Sequence, residues 1–181
     1  MPKLKSSLPA IVATLAVCLA TACTSTRTQK SAGEGIDDAV IGTKVKTALI
    51  GDPVTEAHNI DVQVFKGRVQ LNGFVESSAE ITQATKLARN VGGVVGVDNN
   101  LKVRAEKTAG AAMDDTALMA KVKAALIGDS RTKSHQIELA INQGTVQMAG
   151  FVDSAATRTA AVDIVRGIEG VVRIDNQMAI K

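Results

Sequence analysis

Residues 37–104 and 114–181 are one sequence written twice. The two stretches align without a gap at an offset of about 77 residues, and about 29 of about 68 positions are identical. DDAVIGTKVKTALIGD is answered by DDTALMAKVKAALIGD, GRVQLNGFVESSAE by GTVQMAGFVDSAAT, and GGVVGVDNNLKV by EGVVRIDNQMAI. An ungapped repeat means that whatever fold one copy adopts, the other adopts too. The 181 residues therefore divide into two small modules joined by a linker at 105–113, rather than one domain of ordinary size. Units this small bury a limited core and are marginal alone. Contact between the copies is expected.

Within a unit the hydrophobic period changes repeatedly. Asp37 and Asp38, like Asp114 and Asp115, offer side-chain oxygens to the positive end of a helix and read as N-caps. Ile41, Val45, Ala48 and Leu49 then recur at helical spacing, as do Leu118, Val122, Ala125 and Leu126, until Gly51 or Gly128 stops the helix. Alternation follows through Ile60, Val62 and Val64, or Ile137, Leu139 and Ile141. It resumes after Lys66-Gly67 or Gln143-Gly144 through Val69, Leu71, Gly73 and Val75, or Val146, Met148, Gly150 and Val152. Two alternating runs about a two-residue turn ending in Gly are a hairpin. Ser77 or Ser154 caps a second helix, and a last strand carries Val95, Val97, Leu101 and Val103, or Val172, Ile174, Met178 and Ile180. A strand–helix–strand crossover favours parallel pairing for that last strand. The predicted class is α+β: two tandem modules, each α-β-β-α-β, with a mixed three-stranded sheet covered on one face by two helices. The other face is mostly polar, through Asp61, Gln63, Gln70, Asn72, Asp98, Asn100 and Lys102. It is less polar in the second copy (Ala140, Ala149, Ala179), where contact between copies is first expected.

Ahead of the repeat the chain reads as an address. Lys3 and Lys5 precede an apolar run at 8–19, the length of a signal-peptide core and too short to cross a bilayer as a helix. Residues 1–22 are predicted to be a removed signal. Two cleavage readings stand side by side. Ala20-x-Ala22 suits the ordinary signal peptidase, which releases a soluble periplasmic protein. Ala20-Thr21-Ala22-Cys23 also resembles a lipobox, in which Cys23 is acylated, although Ala20 stands where lipoboxes usually carry Leu. An unmodified Cys23 would be an unpaired thiol in an oxidising compartment, because Cys18 leaves with the signal, and this favours lipidation. Each buried CH₂ of an acyl chain contributes about 0.8 kcal/mol, and two chains anchor stably. In the lipoproteins this resembles, Thr24 after the cysteine points to the outer membrane. Residues 23–36 are polar and small, as a lipidated flexible tether should be. Losing Lys3 and Lys5 takes the formal net charge from +3 to about +1, so the basic balance belongs largely to the signal.

A turn glycine, then V-x-[LM]-x-G-x-V, a capped helix and G-V-x-x-[VI]-D-N resembles the BON domain of bacterial envelope proteins, and both copies carry the whole pattern. The resemblance implies a non-catalytic protein associated with anionic phospholipid and outer-membrane integrity, with no cofactor and no small-molecule substrate. Behind a lipobox such a pair implies an outer-membrane, lipid-anchored, periplasm-facing protein; behind an ordinary signal, a soluble periplasmic one. In lipid-anchored members, phospholipid contact is attributed to the first helix of the second copy, around a Trp. This chain has no Trp, and Ala117 stands at that place, leaving Leu118 and Met119 as weaker apolar substitutes.

Local charge singles out the same region. Each copy as a whole is balanced, yet residues 117–135 carry Lys121, Lys123, Arg131 and Lys133 against Asp129, about +3, where the matching stretch of the first copy carries about 0. Near an anionic surface each basic residue contributes on the order of 1 kcal/mol, and an anchor raises the effective concentration. Leu118, Met119, Lys121, Lys123, Arg131 and Lys133 are thus the predicted phospholipid-binding residues. The plain alternative is a set of solvated charges around a helix end. His58 and His135 occupy equivalent turns without clustered cysteines or carboxylates, so no metal site is expected. Nucleic-acid binding lacks its stacking aromatics, which make up 2% of the chain. A scaffold or chaperone-like protein that contacts other envelope proteins is the second functional reading.

Overall fold

The computed structural model describes residues 32–55, 59–105 and 109–181, so Cys23, His58 and the predicted signal at 1–22 lie outside the described residues. Module 1 comprises α1 (Ala32–Ile50), β1 (Ile60–Phe65), β2 (Arg68–Val75), α2 (Ser78–Arg89), β3 (Gly96–Asn99) and β4 (Lys102–Val103). Module 2 comprises α3 (Ala109–Gly128), a single 3-10 turn (Ser134–Gln136), β5 (Glu138–Asn142), β6 (Thr145–Val152), α4 (Ala155–Arg166) and β7 (Arg173–Ile180). In both, the hairpin strands pair antiparallel and the last strand lies parallel to the second. The expected mixed sheet is borne out. The copies differ in that last strand: β7 pairs with β6 unbroken over eight positions, whereas its equivalent is interrupted at Asn100 and Leu101 and splits into β3 and β4.

Both helices of a module cover one sheet face. Ile41, Val45 and Leu49 of α1 pack on Ile60, Val62, Val69 and Leu71, with Ala84 and Ala88 of α2 closing the layer; Leu118, Val122 and Leu126 do the same on Met148 and Val146. Small alanines on α2 and α4 let each helix approach the sheet closely, which suits a core with few aromatics. Ser77 and Ser154 cap α2 and α4, accepting hydrogen bonds from the backbone N–H of Glu80 and Thr157 at 3.3 and 3.1 Å.

The first helices depart from expectation at their start. α1 begins at Ala32 and α3 at Ala109, so Asp38 and Asp115 sit inside the helices rather than capping them. Their carboxylates serve the hairpin instead. Asp38 accepts from the backbone N–H groups of Lys66 and Gly67, both at 2.8 Å, and Asp115 from those of Gln143 and Gly144, both at 2.9 Å. Lys66 and Gly67 have φ of 50° and 74°, as a two-residue type I′ turn requires, and such a turn leaves its N–H groups without strand partners. A buried carboxylate one layer away is the physical reason for an Asp at that position.

The larger departure concerns the polar sheet faces, which meet each other. Gln70 and Gln147 are only 3% and 1% exposed. The Gln147 amide accepts from the backbone N–H of Gly73 at 2.7 Å and donates to the carbonyl of Asn100 at 2.7 Å. The Gln70 amide accepts from Gly150 at 3.0 Å and donates to the carbonyl of Gln177 at 3.3 Å. Every partner in one set is the 77-residue equivalent of its partner in the other, so the modules are related by a pseudo-two-fold. Phe65 and Phe151 stack across the seam with ring centroids 5.3 Å apart, Lys102 pairs with Asp175, and Gln63 donates to Glu138 at 2.8 Å. The molecule is thus four layers, helices outside and two sheets within. Contact includes the alanine face of the second copy, as expected, with Ala149 1% exposed. The polar face of the first copy takes an equal part.

Gly73 and Gly150 have φ of 127° and 121°, and a Cβ there would lie 2.1 and 2.2 Å from the carbonyl oxygens of Asn59 and Gln136. No side chain fits. The same glycines present the N–H that the opposing glutamine takes.

Candidate functional site

Each module has one cleft at the turn end, built from equivalent parts. The loop after α2 folds back on the hairpin turn: Val95 N–H donates to Gly67 O at 2.8 Å, and Val172 N–H to Gly144 O at 2.9 Å. A Cβ on Gly67 would meet Val95 at 2.8 Å and the Gly93 carbonyl at 2.9 Å, which is why a glycine ends the turn. The loop leaves its valine outside the fold, Val95 83% and Val172 80% exposed. Between loop and first helix lies an open cleft of about 430 Å³ in module 1 and about 650 Å³ in module 2.

Four substitutions separate the cleft linings, and one of them, Ile41 to Leu118, exchanges one buried apolar residue for another. Val40, 46% exposed, is replaced by Ala117; Lys66 by Gln143; Gly92 by Glu169. Lys44 and Lys121 are common to both. The module 1 cleft is therefore more apolar and less acidic.

The six residues predicted to meet phospholipid do not form one patch. Leu118 is 5% exposed and belongs to the helix-side core, and Met119 is half-buried. Lys121 borders the module 2 cleft, whereas Lys123 borders a separate groove beside Ile137 and Glu138. Residues two apart on a helix point to different sides. Arg131 is held bidentately by Asp129, at 3.0 and 2.6 Å, and hydrogen bonds from Arg131 bring the Asp129 carboxyl down to about 2. Lys133 pairs with Asp153 at 2.7 Å, as does Lys181, and these two ammonium groups hold the Asp153 carboxyl far below its usual range. Two of the four cations thus have carboxylate partners. Asp61, on the seam side of β1, is raised by burial, an effect opposed by Lys46 and Lys123. Among the described residues no His, Cys, Asp and Glu cluster could hold a metal, and no helix is long and apolar enough to cross a membrane.

Sequence reasoning missed the exposed valines and the equal part that the first copy's polar face takes in the seam. A signal for the seam was present: Phe65, Phe74 and Phe151 all fall on the outward phase of their strands, among the polar residues. Three buried aromatics on a face read as solvated mark it as a packing face.

A helix–hairpin–helix–strand module with a carboxylate-held turn, present twice, defines the class. The BON domain matches residues 37–105 and 114–181, and the chain belongs to the BON domain family. It is 34% identical over 151 residues to Osmotically-inducible protein Y of Escherichia coli, covering 82% of this chain and 75% of that protein. It is 31% identical over 146 residues to Outer membrane lipoprotein DolP of Haemophilus influenzae, covering 80% of this chain and 75% of the other. A solved structure of CdsD, a structural protein of the Type III secretion system of Chlamydia trachomatis, is similar at 12% identity and a TM-score of 0.34, covering 77% of this chain and 91% of that one.

Proposed function

We propose that this protein is a non-catalytic envelope lipoprotein, tethered through Cys23 to the periplasmic side of the outer membrane, whose BON pair binds anionic phospholipid and supports outer-membrane integrity. The observation that carries this reading is Ala20-Thr21-Ala22-Cys23 ahead of a BON pair that is 31% identical to an outer membrane lipoprotein. In this reading residues 1–22 are removed, 23–36 supply the tether, 37–104 and 114–181 are the working modules and 105–113 join them. A chain held at the surface needs little intrinsic affinity, because the second contact is intramolecular. Exposed valines beside lysines supply what an anionic surface takes: apolar side chains for the headgroup boundary and cations for the phosphates.

Two measurements test it. The intact mass of the mature protein should carry an acylated Cys23 at its N-terminus. Unacylated protein beginning at Ser25 should float with phosphatidylglycerol vesicles, not with phosphatidylcholine alone, and should be released by salt.

The second reading is a soluble periplasmic scaffold or chaperone-like stress protein working through protein contacts. The Ala20-x-Ala22 site and the 34% identity to Osmotically-inducible protein Y favour it. A mature N-terminus cut after Ala22 without acylation, together with no flotation at any lipid composition, would establish it over the first.

A further inference from the structure

The two clefts do not face the same way. Gln70 meets Gly150 while Gln147 meets Gly73, so β2 and β6 cross the seam in opposite directions. The Lys66-Gly67 turn therefore lies at one end of the molecule and the Gln143-Gly144 turn at the other. The first end also receives the far end of module 2: Phe65, Phe151, Gln136 and Lys181 border one shallow cavity there. Lys133 and Lys181, with the Asp153 they share, thus stand at the same end of the molecule as the module 1 turn. Asp37 and Asp114 line the two clefts alike, so Glu169 is the acid that separates them, and the opposite end also receives Asp52 and the Glu76–Arg104 pair of module 1. Both ends carry both signs, and the first is the more positive: Lys133 and Lys181 share one carboxylate there, and its cleft has Lys66 and Gly92 where the other has Gln143 and Glu169.

We infer that the module 1 end, centred on Val95, Val40 and Lys44, is the face that rests on an anionic phospholipid surface, and that the module 2 cleft points away from it. This rests on the anchored, phospholipid-binding reading above. Apolar exposure is one support, because Val95 and Val40 stand 83% and 46% exposed on one rim with Lys44 one helical turn from Val40. Charge complementarity is the second: two of the cleft substitutions, Lys66 against Gln143 and Gly92 against Glu169, favour an anionic partner at module 1 over module 2, and the pseudo-two-fold adds Lys133 and Lys181, which share the single carboxylate of Asp153, to the same end. The third is the attachment point. α1 starts at this end, since Asp38 in its second turn grips the Lys66-Gly67 turn, and Ile50 lies about 27 Å away along the helix. From Ala32 back to Cys23 the chain can reach at most about 30 Å, so an anchored protein is held by the end that carries Val95.

The test uses the unacylated mature chain with phosphatidylglycerol-containing vesicles. Lys44→Glu with Val95→Asp should weaken vesicle binding at least tenfold. The equivalent pair, Lys121→Glu with Val172→Asp, should change it less than twofold. All four side chains are exposed, and unchanged thermal melting confirms that both variants fold. Because the chain has no Trp or Tyr, Val95→Trp and Val172→Trp each give a single clean fluorophore. Emission should shift to the blue on vesicles for the first and stay put for the second. Equal losses from the two pairs, or a blue shift at position 172 alone, overturn the orientation. A dimer that forms without vesicles and dissolves on Val95→Asp assigns the face to a second copy and overturns it as well. If the unaltered protein binds no vesicle of any composition, the phospholipid reading itself fails, and the inference with it.

Discussion

Module 1 and module 2 share a backbone plan and an interface but not a surface. Where the positions are structural, the copies agree residue for residue: Asp38 and Asp115 on the turn, Gly67 and Gly144 in it, Gln70 and Gln147 across the seam, Ser77 and Ser154 at the helix caps. At the clefts the exposed positions are mixed: Lys44 and Lys121 agree, as do Val95 and Val172, while Val40 stands against Ala117, Lys66 against Gln143 and Gly92 against Glu169. The turn, clamp and cap residues are kept in both copies, and the charge around the clefts is what varies most. Equivalent substitutions should therefore have equal effects inside and unequal effects outside, and each prediction below tests one side of that statement.

The largest effect belongs to the seam glycines. Gly73→Ala and Gly150→Ala each force a Cβ onto a carbonyl oxygen at a positive φ, and each should destabilise by about 3 kcal/mol or more, read from urea unfolding. A difference above about 1 kcal/mol between them would break the symmetry. Next come the turn carboxylates: Asp38→Ala and Asp115→Ala each orphan two backbone N–H groups, at an expected cost of about 2–3 kcal/mol and with faster amide exchange at Gly67 or Gly144. Gln70→Ala and Gln147→Ala should each cost about 1–2 kcal/mol, the loss appearing as weakened coupling between modules in a two-probe unfolding experiment.

The outer ion pairs should show the inequality. Asp153 with Lys181 is the equivalent of Glu76 with Arg104, but only Asp153 has a second cation, Lys133. Asp153→Asn should therefore cost more than Glu76→Gln, though only on the order of 1 kcal/mol because each pair keeps one partner well exposed to solvent. The pH dependence has a definite sign. A carboxyl whose folded value is depressed stabilises above its unfolded value, near 3.8, and loses that contribution as pH falls through the folded value. Melting curves of the Asp153→Asn protein and its parent should differ at neutral pH and converge in strong acid. The same variant releases Lys133 and Lys181, and flotation should show phosphatidylglycerol binding strengthened a few-fold.

Most of the fold was legible because it rests on local periodicity. The helix and strand phases, the turn Lys66-Gly67, the Ser caps and the parallel last strand all follow from residues within a few positions of one another. What was not legible depends on contacts between residues far apart. Asp38 looks like a cap until the turn it grips, 28 positions away, is placed beside it. Gln70 looks solvated until the second module arrives. The predicted site suffered the same way: adjacency in sequence grouped Lys121 with Lys133, but the helix between them carries the two toward opposite ends of the molecule, and the partners of Arg131 and Lys133 could not be read from charge alone.

The glutamine clamp has a consequence for how such a chain assembles. Each glutamine satisfies two backbone groups of the other copy, so the seam is a matched pair of identical locks. Nothing in that pairing distinguishes a neighbour on the same chain from one on another molecule. Only the short connection between Val103 and α3 favours the internal partner, by holding it at a local concentration in the millimolar range. At high protein density, or with that connection shortened, module 1 of one molecule can close on module 2 of the next, and the monomer becomes a swapped dimer or a longer chain without a single new contact.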